Sequence, residues 1–181
     1  MIKVYKRLAD AIFYWEAWDH AGKIIIHSGR LGDTGETREV DLPSKEQPDE
    51  VIARELEPQI ACGYREVPVE GHFQLMLHYA TRSWGSSEDL SKRHRVEDLL
   101  NECLGWTGNG HCDGGQIGSG AIEVFSFVID PIVAVSTIVE TLRRKDLLEG
   151  AVISTESEAG TIVLWPKDDQ GHRRTRVEPI S

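Results

Sequence analysis

Residues 121–131 read Ala-Ile-Glu-Val-Phe-Ser-Phe-Val-Ile-Asp-Pro, and this stretch decides how the second half of the 181-residue chain is expected to fold. Its first nine residues are rich in β-branched and aromatic side chains, which favours a strand. Asp130-Pro131 is typical of a helix start, because aspartate caps free backbone N–H groups and proline is tolerated at the first helical position. Apolar residues then recur at helical spacing, and Gly150 is placed to close the helix.

Similar patterns surround this strand–helix pair. Residues 72–79 predict a strand, residues 86–104 a helix, and residues 151–153 and 161–165 the last strands. The order is β-α-β-β-α-β, which predicts a ferredoxin-like sheet with both helices on one face. The glycine-rich stretch 105–120 is expected to form a β-hairpin with its turn at residues 113–115.

The first part of the chain predicts a second, smaller α+β unit. Residues 1–9, 11–18, 23–27 and 36–42 have strand patterns, and residues 64–67 are expected to form a short return strand. Ser44 and Gln47 predict a capping-box start for the helix that follows them, with a kink or break at Pro58 and a C-terminal cap at Gly63.

Proline and glycine between residues 67 and 71 mark the best domain boundary. The expected organisation is therefore a domain over residues 1–69, a domain over 70–166 and a polar tail over 167–181.

Composition limits the classes of function. Apolar residues make up 40% of the chain and charged residues 28%, as in ordinary globular proteins. No apolar run is long enough to span a bilayer and no secretory signal pattern follows Met1, so a cytosolic protein without membrane contact is expected. The net charge is −10 and is divided evenly between the two halves. This charge repels nucleic acid and attracts basic protein surfaces.

No pattern of catalytic or metal-binding residues stands out, so no cofactor, no metal and no enzymatic activity are expected. The glycine-rich stretch lacks the lysine of a phosphate-binding loop, and the seven histidines are scattered. The three cysteines form no Cys-x-x-Cys pair, and Cys62 and Cys103 are expected to be buried, inert thiols. His111 and Cys112 are neighbours on an extended segment, so they are expected to point to opposite faces.

Residues 28–35 read Ser-Gly-Arg-Leu-Gly-Asp-Thr-Gly, between an aromatic strand and a helix ending at Gly63-Tyr64. This pattern resembles the WGR domain of poly(ADP-ribose) polymerases and bacterial regulators over roughly residues 3–68. The motif residues are Ser28, Gly29, Arg30, Gly32 and Gly35, and serine stands where the family has tryptophan.

In the polymerases, that tryptophan and its neighbouring arginine help contact a DNA end. Stacking of a base on an aromatic side chain is worth about 1–3 kcal/mol, so Ser28 argues against DNA binding. A structural role is expected for Arg30 instead, through a pair with Asp33 or Glu36 or through bonds to turn carbonyls.

The second part of the chain is similar to small bacterial ferredoxin-like domains, some of which are thought to be immunity proteins of toxin systems. Trp84 and Trp106 are expected on loops, where aromatic residues often anchor protein interfaces, although each could equally cap its own core. Glu88, Asp113 and Glu123 could surround such anchors. We therefore expect a protein partner, namely a basic toxin such as a nuclease or an ADP-ribosyltransferase, whose active site this chain covers.

Two rival hypotheses remain at this point. A nucleic-acid-binding module of the WGR type would need a positive face built around Lys23, Arg30 and Arg38. An enzyme would need a site assembled between the two domains, with His111 or Cys112 in an unusual environment.

Overall fold

The computed structural model describes residues 1–81, 85–157 and 160–167. Trp84 and almost all of the expected tail, from residue 168, lie outside these residues. The chain divides into two compact units. Unit 1 contains Met1–Gly71 and Trp106–Gly108, and unit 2 contains His72–Gly105 and the chain from Asn109 onwards. The first division falls two residues beyond the expected boundary, and the sequence pattern gives no sign that Trp106–Gly108 belongs to unit 1.

Unit 1 is a four-stranded antiparallel sheet whose strands follow one another in chain order. They are β1 (Ile2–Leu8), β2 (Ala11–His20), β3 (Lys23–Arg30) and β4 (Glu36–Asp41). Ala21 and Gly22, both at positive φ, make the tight turn between β2 and β3.

One face of this sheet packs on the helix α1 (Pro48–Ala61). Strand residues of this face and helix residues form one buried apolar cluster: Val4, Trp15, Ala17, Ile24, Ile26, Val51 and Ile52. Removal of this apolar surface from water holds the helix on the sheet.

The ends of α1 correct two expectations. The N-cap is Gln47, whose backbone N–H donates to the Glu50 carboxylate, so the capping box lies three residues beyond the predicted start at Ser44. The helix runs through Pro58 without a break and ends near Gly63, which has φ +96° as expected of a C-terminal glycine. The expected return strand shrinks to a single bridge between Tyr5 and Arg65.

A short 3₁₀ turn at Val69–Gly71 precedes unit 2. The elements of unit 2 are β5 (Phe73–Ala80), α2 (Ser87–Trp106), β6 (Gly110–Gly118), β7 (Ala121–Val128), α3 (Pro131–Arg144), β8 (Val152–Ser157) and β9 (Gly160–Trp165). The five strands form one antiparallel sheet in the order β6-β7-β5-β8-β9. No helix in the described ranges has the length and apolar character needed to cross a membrane.

The core of unit 2 lies on one face of this sheet. Leu75, Leu77, Ile122 and Val124 point to that face, and the buried residues of both α2 and α3 belong to the same cluster. Both helices therefore cover the same face, as the apolar pattern predicts. The overall class, α+β with two antiparallel sheets, is confirmed.

The glycine-rich stretch differs from its prediction. Residues 113–115 do not form a hairpin turn, because β6 is one strand from Gly110 to Gly118 that carries a β-bulge between Cys112 and Gly115. The turn comes later, at Ser119 and Gly120, which both have positive φ. Glycine at the bulge allows the backbone to bend locally, so β6 stays paired with β7 on both sides of it.

Candidate functional site

A buried polar network crosses the second face of the unit 1 sheet. The His27 Nδ1 lies 2.8 Å from the Glu16 carboxylate, and the His27 Nε2 lies 3.1 Å from the Tyr14 hydroxyl. Lys3 reaches the same carboxylate at 3.0 Å. Lys3 is paired with Glu16 across β1 and β2, and Glu16 with His27 across β2 and β3, so the sheet register places all three on one face.

The connectivity Glu16–His27–Tyr14 is that of a general-base relay, but substrates cannot reach it. Tyr14, His27 and Glu16 are 0%, 1% and 6% exposed. Each buried polar group instead has a partner, as stability requires in a low-dielectric interior. The network therefore acts as a structural polar core of unit 1. The feature of the sequence that indicates it is a charged residue, Glu16, inside the aromatic strand β2.

The segment Trp106–Gly108 closes over this network. The Trp106 carbonyl accepts from the Tyr14 hydroxyl at 3.4 Å, the Gly108 carbonyl accepts from Tyr5 at 3.1 Å, and the Trp106 ring meets His27 edge-on at 5.1 Å. Trp106 is still 46% exposed. Its ring therefore packs on unit 1, and the exposed part of the ring leaves the predicted role as an interface anchor open.

The WGR-like motif surrounds the same network. Gly29, the penultimate residue of β3, lies against the Tyr14 ring, and a Cβ on Gly35 would lie 2.2 Å from the Tyr14 hydroxyl and 2.8 Å from His27 Nε2. Gly32, at φ +94°, donates its backbone N–H to the Thr107 carbonyl. Arg30 is exposed and, among the described residues, pairs with neither Asp33 nor Glu36, so the expected ion pair is wrong.

The other two cations of the rival nucleic-acid hypothesis are neutralised. Lys23 forms an ion pair with Glu39, and Arg38 forms one with Glu55. Of the three, only Arg30 offers a free positive charge within the described part of the chain.

The helix-free face of the unit 2 sheet, called the open face below, has a distinct composition. By strand alternation and register, it carries Met76 and His78 from β5, His111 and Gln116 from β6, Glu123, Phe125 and Phe127 from β7, and Glu156 from β8. The five strands, as bounded above, contain no lysine and no arginine. Asp113 and Gly114 lie across the bulge from Phe125.

Glu123 lies on β7, between the edge strand β6 and the central strand β5. Its carboxylate accepts from the Gln116 amide at 2.6 Å and lies 3.9 Å from His78 Nδ1. Phe125 and Phe127 are partly buried, and the ring of Phe127 lies 6.0 Å from that of His111. Neither phenylalanine is among the residues predicted to bind a partner, although alternation along the strand from Glu123 places both on the same face.

The predicted partner-binding residues do not form one group. Asp113 and Glu123 both belong to the region of the open face, and Trp106 belongs to unit 1. Glu88 lies on α2, on the helix-covered side of the sheet, where it lines a cavity of about 450 Å³ with Lys92 and Arg95. Burial lowers the pKa of Lys92, whose ammonium lies 3.6 Å from the centre of the Tyr79 ring.

The cysteines lack the environment of a nucleophile. Cys112 packs on the core while His111 is exposed, so the two do point to opposite faces. Burial raises the pKa of Cys112, and raises that of Cys103 to about 11, which disfavours the reactive thiolate. Cys62 is exposed, against the expected burial, because it lies beyond the last turn of α1. The described residues contain no group of three or more potential metal ligands.

Burial sets the alkaline limit of this fold. It raises the pKa of all four tyrosines, that of Tyr14 to about 12 with a smaller contribution from the Glu16 charge. A phenol with a raised folded-state pKa stabilises the fold below its unfolded pKa of about 10, and this contribution is lost as the pH rises through the folded value.

We therefore expect the urea midpoint of unfolding to be constant from neutral pH to about pH 8.5, to begin to fall as the partly buried thiols Cys103 and Cys112 lose their contribution, and to fall more steeply between about pH 10 and 12 with the tyrosines. Tyrosinate absorbance measured in the same samples should rise only as the protein unfolds. Ionisation of several tyrosines near pH 10 in protein that is still folded by circular dichroism would contradict this.

The chain matches no protein-family model, no curated protein and no solved structure. The contacts described above therefore carry the functional argument by themselves.

Proposed function

We propose that this chain is a non-enzymatic protein-binding protein, specifically an immunity protein that neutralises a toxin by covering its active site. The observation that carries the proposal is the open face of unit 2. Asp113 and Glu123 flank partly exposed aromatic residues on a sheet without lysine or arginine. The docking partner is a basic polypeptide, of which a nuclease or an ADP-ribosyltransferase are the candidates.

The charges of the open face favour protein over nucleic acid. A nucleic acid is bound chiefly through neutralisation of its phosphates by lysine and arginine, and this sheet offers neither. The carboxylates of Asp113, Glu123 and Glu156 instead complement a cationic surface, and such complementarity speeds encounter and selects the partner.

The aromatic residues supply the apolar part of such an interface. Large apolar side chains near the centre of a contact, surrounded by polar groups that exclude water, account for most of the binding energy in many interfaces. Phe125 and Phe127 have this placement, with Glu123 and Asp113 beside them.

Unit 1 gives less support to a nucleic-acid module. Its candidate cations Lys23 and Arg38 are already paired with carboxylates, and Ser28 has no aromatic ring on which a base could stack. Side chains at Gly29 and Gly35 would collide with the buried network beneath the motif. The need for glycine at these two positions is therefore explained without a ligand.

The proposal includes the assignment of each unit to a known type of fold. A WGR-like unit 1 is supported by the meander of four strands followed by one helix. A ferredoxin-like unit 2 is supported by β7 lying between β5 and β6, and by β5 lying between β7 and β8. In this reading β9 is an additional edge strand.

Charge reversal tests the docking surface. The partner is first captured from a lysate of the host with the full chain as bait, and is then purified. Replacement of Glu123 with lysine should weaken its binding by about tenfold or more, because a favourable charge contact becomes a repulsive one. Replacement of Glu140 with lysine is the matched control, since Glu140 is an exposed α3 carboxylate on the helix side.

The neutralising role is tested with the same purified partner. It should inhibit growth when expressed alone, and co-expression of the wild-type chain should restore growth while the Glu123→Lys variant should not. A partner without toxic activity would reject the immunity role. Equal binding by the Glu123 and Glu140 variants, or tight oligonucleotide binding at moderate salt, would reject the proposed surface.

A further inference from the structure

Phe125, on the open face of unit 2, has acidic residues on two sides and apolar residues on the other two. Glu123 comes two residues before it on β7, and Asp113 lies opposite it at the β6 bulge. Met76 lies opposite it on β5, and Phe127 follows it along β7. The Phe125 ring is partly exposed, so a ligand that contacts it also meets both carboxylates.

The Glu123 carboxylate is held in place and still has room for further donors. Gln116 donates to Oε2 at 2.6 Å, which fixes the orientation of the group. Oε1 lies 3.9 Å from His78 Nδ1, beyond hydrogen-bond distance, and accepts no hydrogen bond within the described part of the chain. The Glu123 side chain is 26% exposed. Because an ionised carboxylate can accept about four hydrogen bonds, Glu123 can bind donors supplied by a ligand.

The charge of this region selects a cationic ligand. The five strands contain no lysine or arginine that could neutralise the two carboxylates, and Asp113 has no ion pair among the described residues. A phosphate or another carboxylate would therefore be repelled. The described residues also hold no group of three metal ligands, so the cation is an organic one.

The aromatic ring distinguishes between the two cations that proteins carry. A guanidinium group is planar, stacks flat on an aromatic ring, and has five N–H donors in its plane that can bond carboxylates beside the ring. A lysine ammonium is a compact, strongly hydrated charge without a flat face. The alkyl stem of arginine also suits the apolar side chains of Met76 and Phe127.

We propose that the open face binds an arginine side chain of its partner, with the guanidinium group over the Phe125 ring and its N–H groups on Glu123 and Asp113. The arginine contact rests on the proposed function, because it names the group by which the basic partner is recognised.

The probes for this contact are two capped tripeptides of equal charge, acetyl-Gly-Arg-Gly-amide and acetyl-Gly-Lys-Gly-amide. Titrated into the ¹⁵N-labelled full chain at low salt, the arginine peptide should shift the amide resonances of Glu123, Phe125 and Phe127 saturably, with a Kd on the order of 5 mM. The lysine peptide should bind about fivefold more weakly, because it lacks the stacked contact with the ring.

Two pairs of variants separate the ring from the charge. Phe125→Leu keeps an apolar side chain but removes the ring, so the arginine peptide should then bind no better than the lysine peptide. Phe73→Leu is its control, since Phe73 is half-exposed but alternates in phase with Leu75 of the core face. Glu123→Gln should weaken both peptides several-fold, whereas Glu140→Gln on α3 should weaken neither.

Equal binding of the two peptides by the wild type, or the absence of saturable shifts, would overturn the proposal. An unchanged arginine preference in the Phe125→Leu variant would do the same. The wild-type comparison needs no variant, so it decides the question even if Phe125→Leu does not fold. A toxin bound by a chain without the arginine preference would reject the arginine contact alone. An arginine preference in a chain that neutralises no toxin would support the contact and reject only the immunity role.

Discussion

Replacement of Gly108 with alanine is expected to destabilise unit 1 by about 4 kcal/mol, a large fraction of the roughly 5–15 kcal/mol that ordinarily separates folded from unfolded protein. Gly108 has φ +71°, and a Cβ there would lie 2.1 Å from Cδ1 and 2.3 Å from Cγ of Tyr14. The Tyr14 ring cannot move aside, because it is fully buried and its hydroxyl contacts His27. Most of the cost is therefore steric overlap in a close-packed interior.

The matched control for Gly108 is Gly22, which is also at positive φ, +79°, but has no atom within 4 Å of the added Cβ. Alanine at Gly22 should cost only the backbone strain of about 1 kcal/mol. Both variants are measured by urea denaturation followed on amide resonances of β2, which report on unit 1 alone. Equal losses for the two variants would show that Gly108 does not press on Tyr14.

The second large effect is expected at Asn109, where replacement with alanine should destabilise unit 2 by about 3 kcal/mol. Asn109 is fully buried, and its side-chain oxygen accepts from the backbone N–H groups of Ile129 and Asp130 at 3.1 and 2.9 Å. Its amide donates to the Asp130 carbonyl at 3.0 Å. Loss of these bonds leaves the partly buried N–H of Asp130, the residue that caps α3, without a partner, and leaves a fully buried site without the polar side chain that filled it.

Asn101 is the matched control, because it is an exposed asparagine on α2. Alanine there should change the free energy of unfolding by less than about 0.5 kcal/mol. The measurement is urea denaturation followed on amide resonances of β7 and α3. An Asn109 variant as stable as the Asn101 variant would mean that water or a shifted backbone replaces the three hydrogen bonds.

Local pattern predicts most elements of this protein but not their irregularities. The strand–helix pair around Asp130-Pro131 forms as predicted, since the strand propensity, the cap and the helical spacing all agree. Asp-Gly-Gly in the glycine-rich stretch predicts a hairpin turn, but pairing with β7 keeps the stretch extended and leaves only a bulge. The local preference of these residues for a turn contributes less free energy than the series of hydrogen bonds that they form with the neighbouring strand.

For the candidate sites, too, the sequence indicates single residues, and the tertiary structure decides which residues lie beside them. Glu123 could be selected from the sequence, but the phenylalanines beside it become a surface only because both helices pack on the other face. Ser28 could be identified as a substitution in the motif, but its position opposite Trp15 is set by the register of β2 and β3. Trp84, the remaining predicted anchor, lies outside the described residues.

The sequence by itself determined the α+β class, the positions of most strands and helices, and the acidic net charge, because these follow from local propensity and summed composition. Only the tertiary structure decided that Glu16, His27 and Tyr14 form a closed network, that Trp106–Gly108 seals it, and that the unit 2 sheet keeps one helix-free face. Those features depend on contacts between residues far apart in the chain, and such contacts leave no periodic pattern in the sequence.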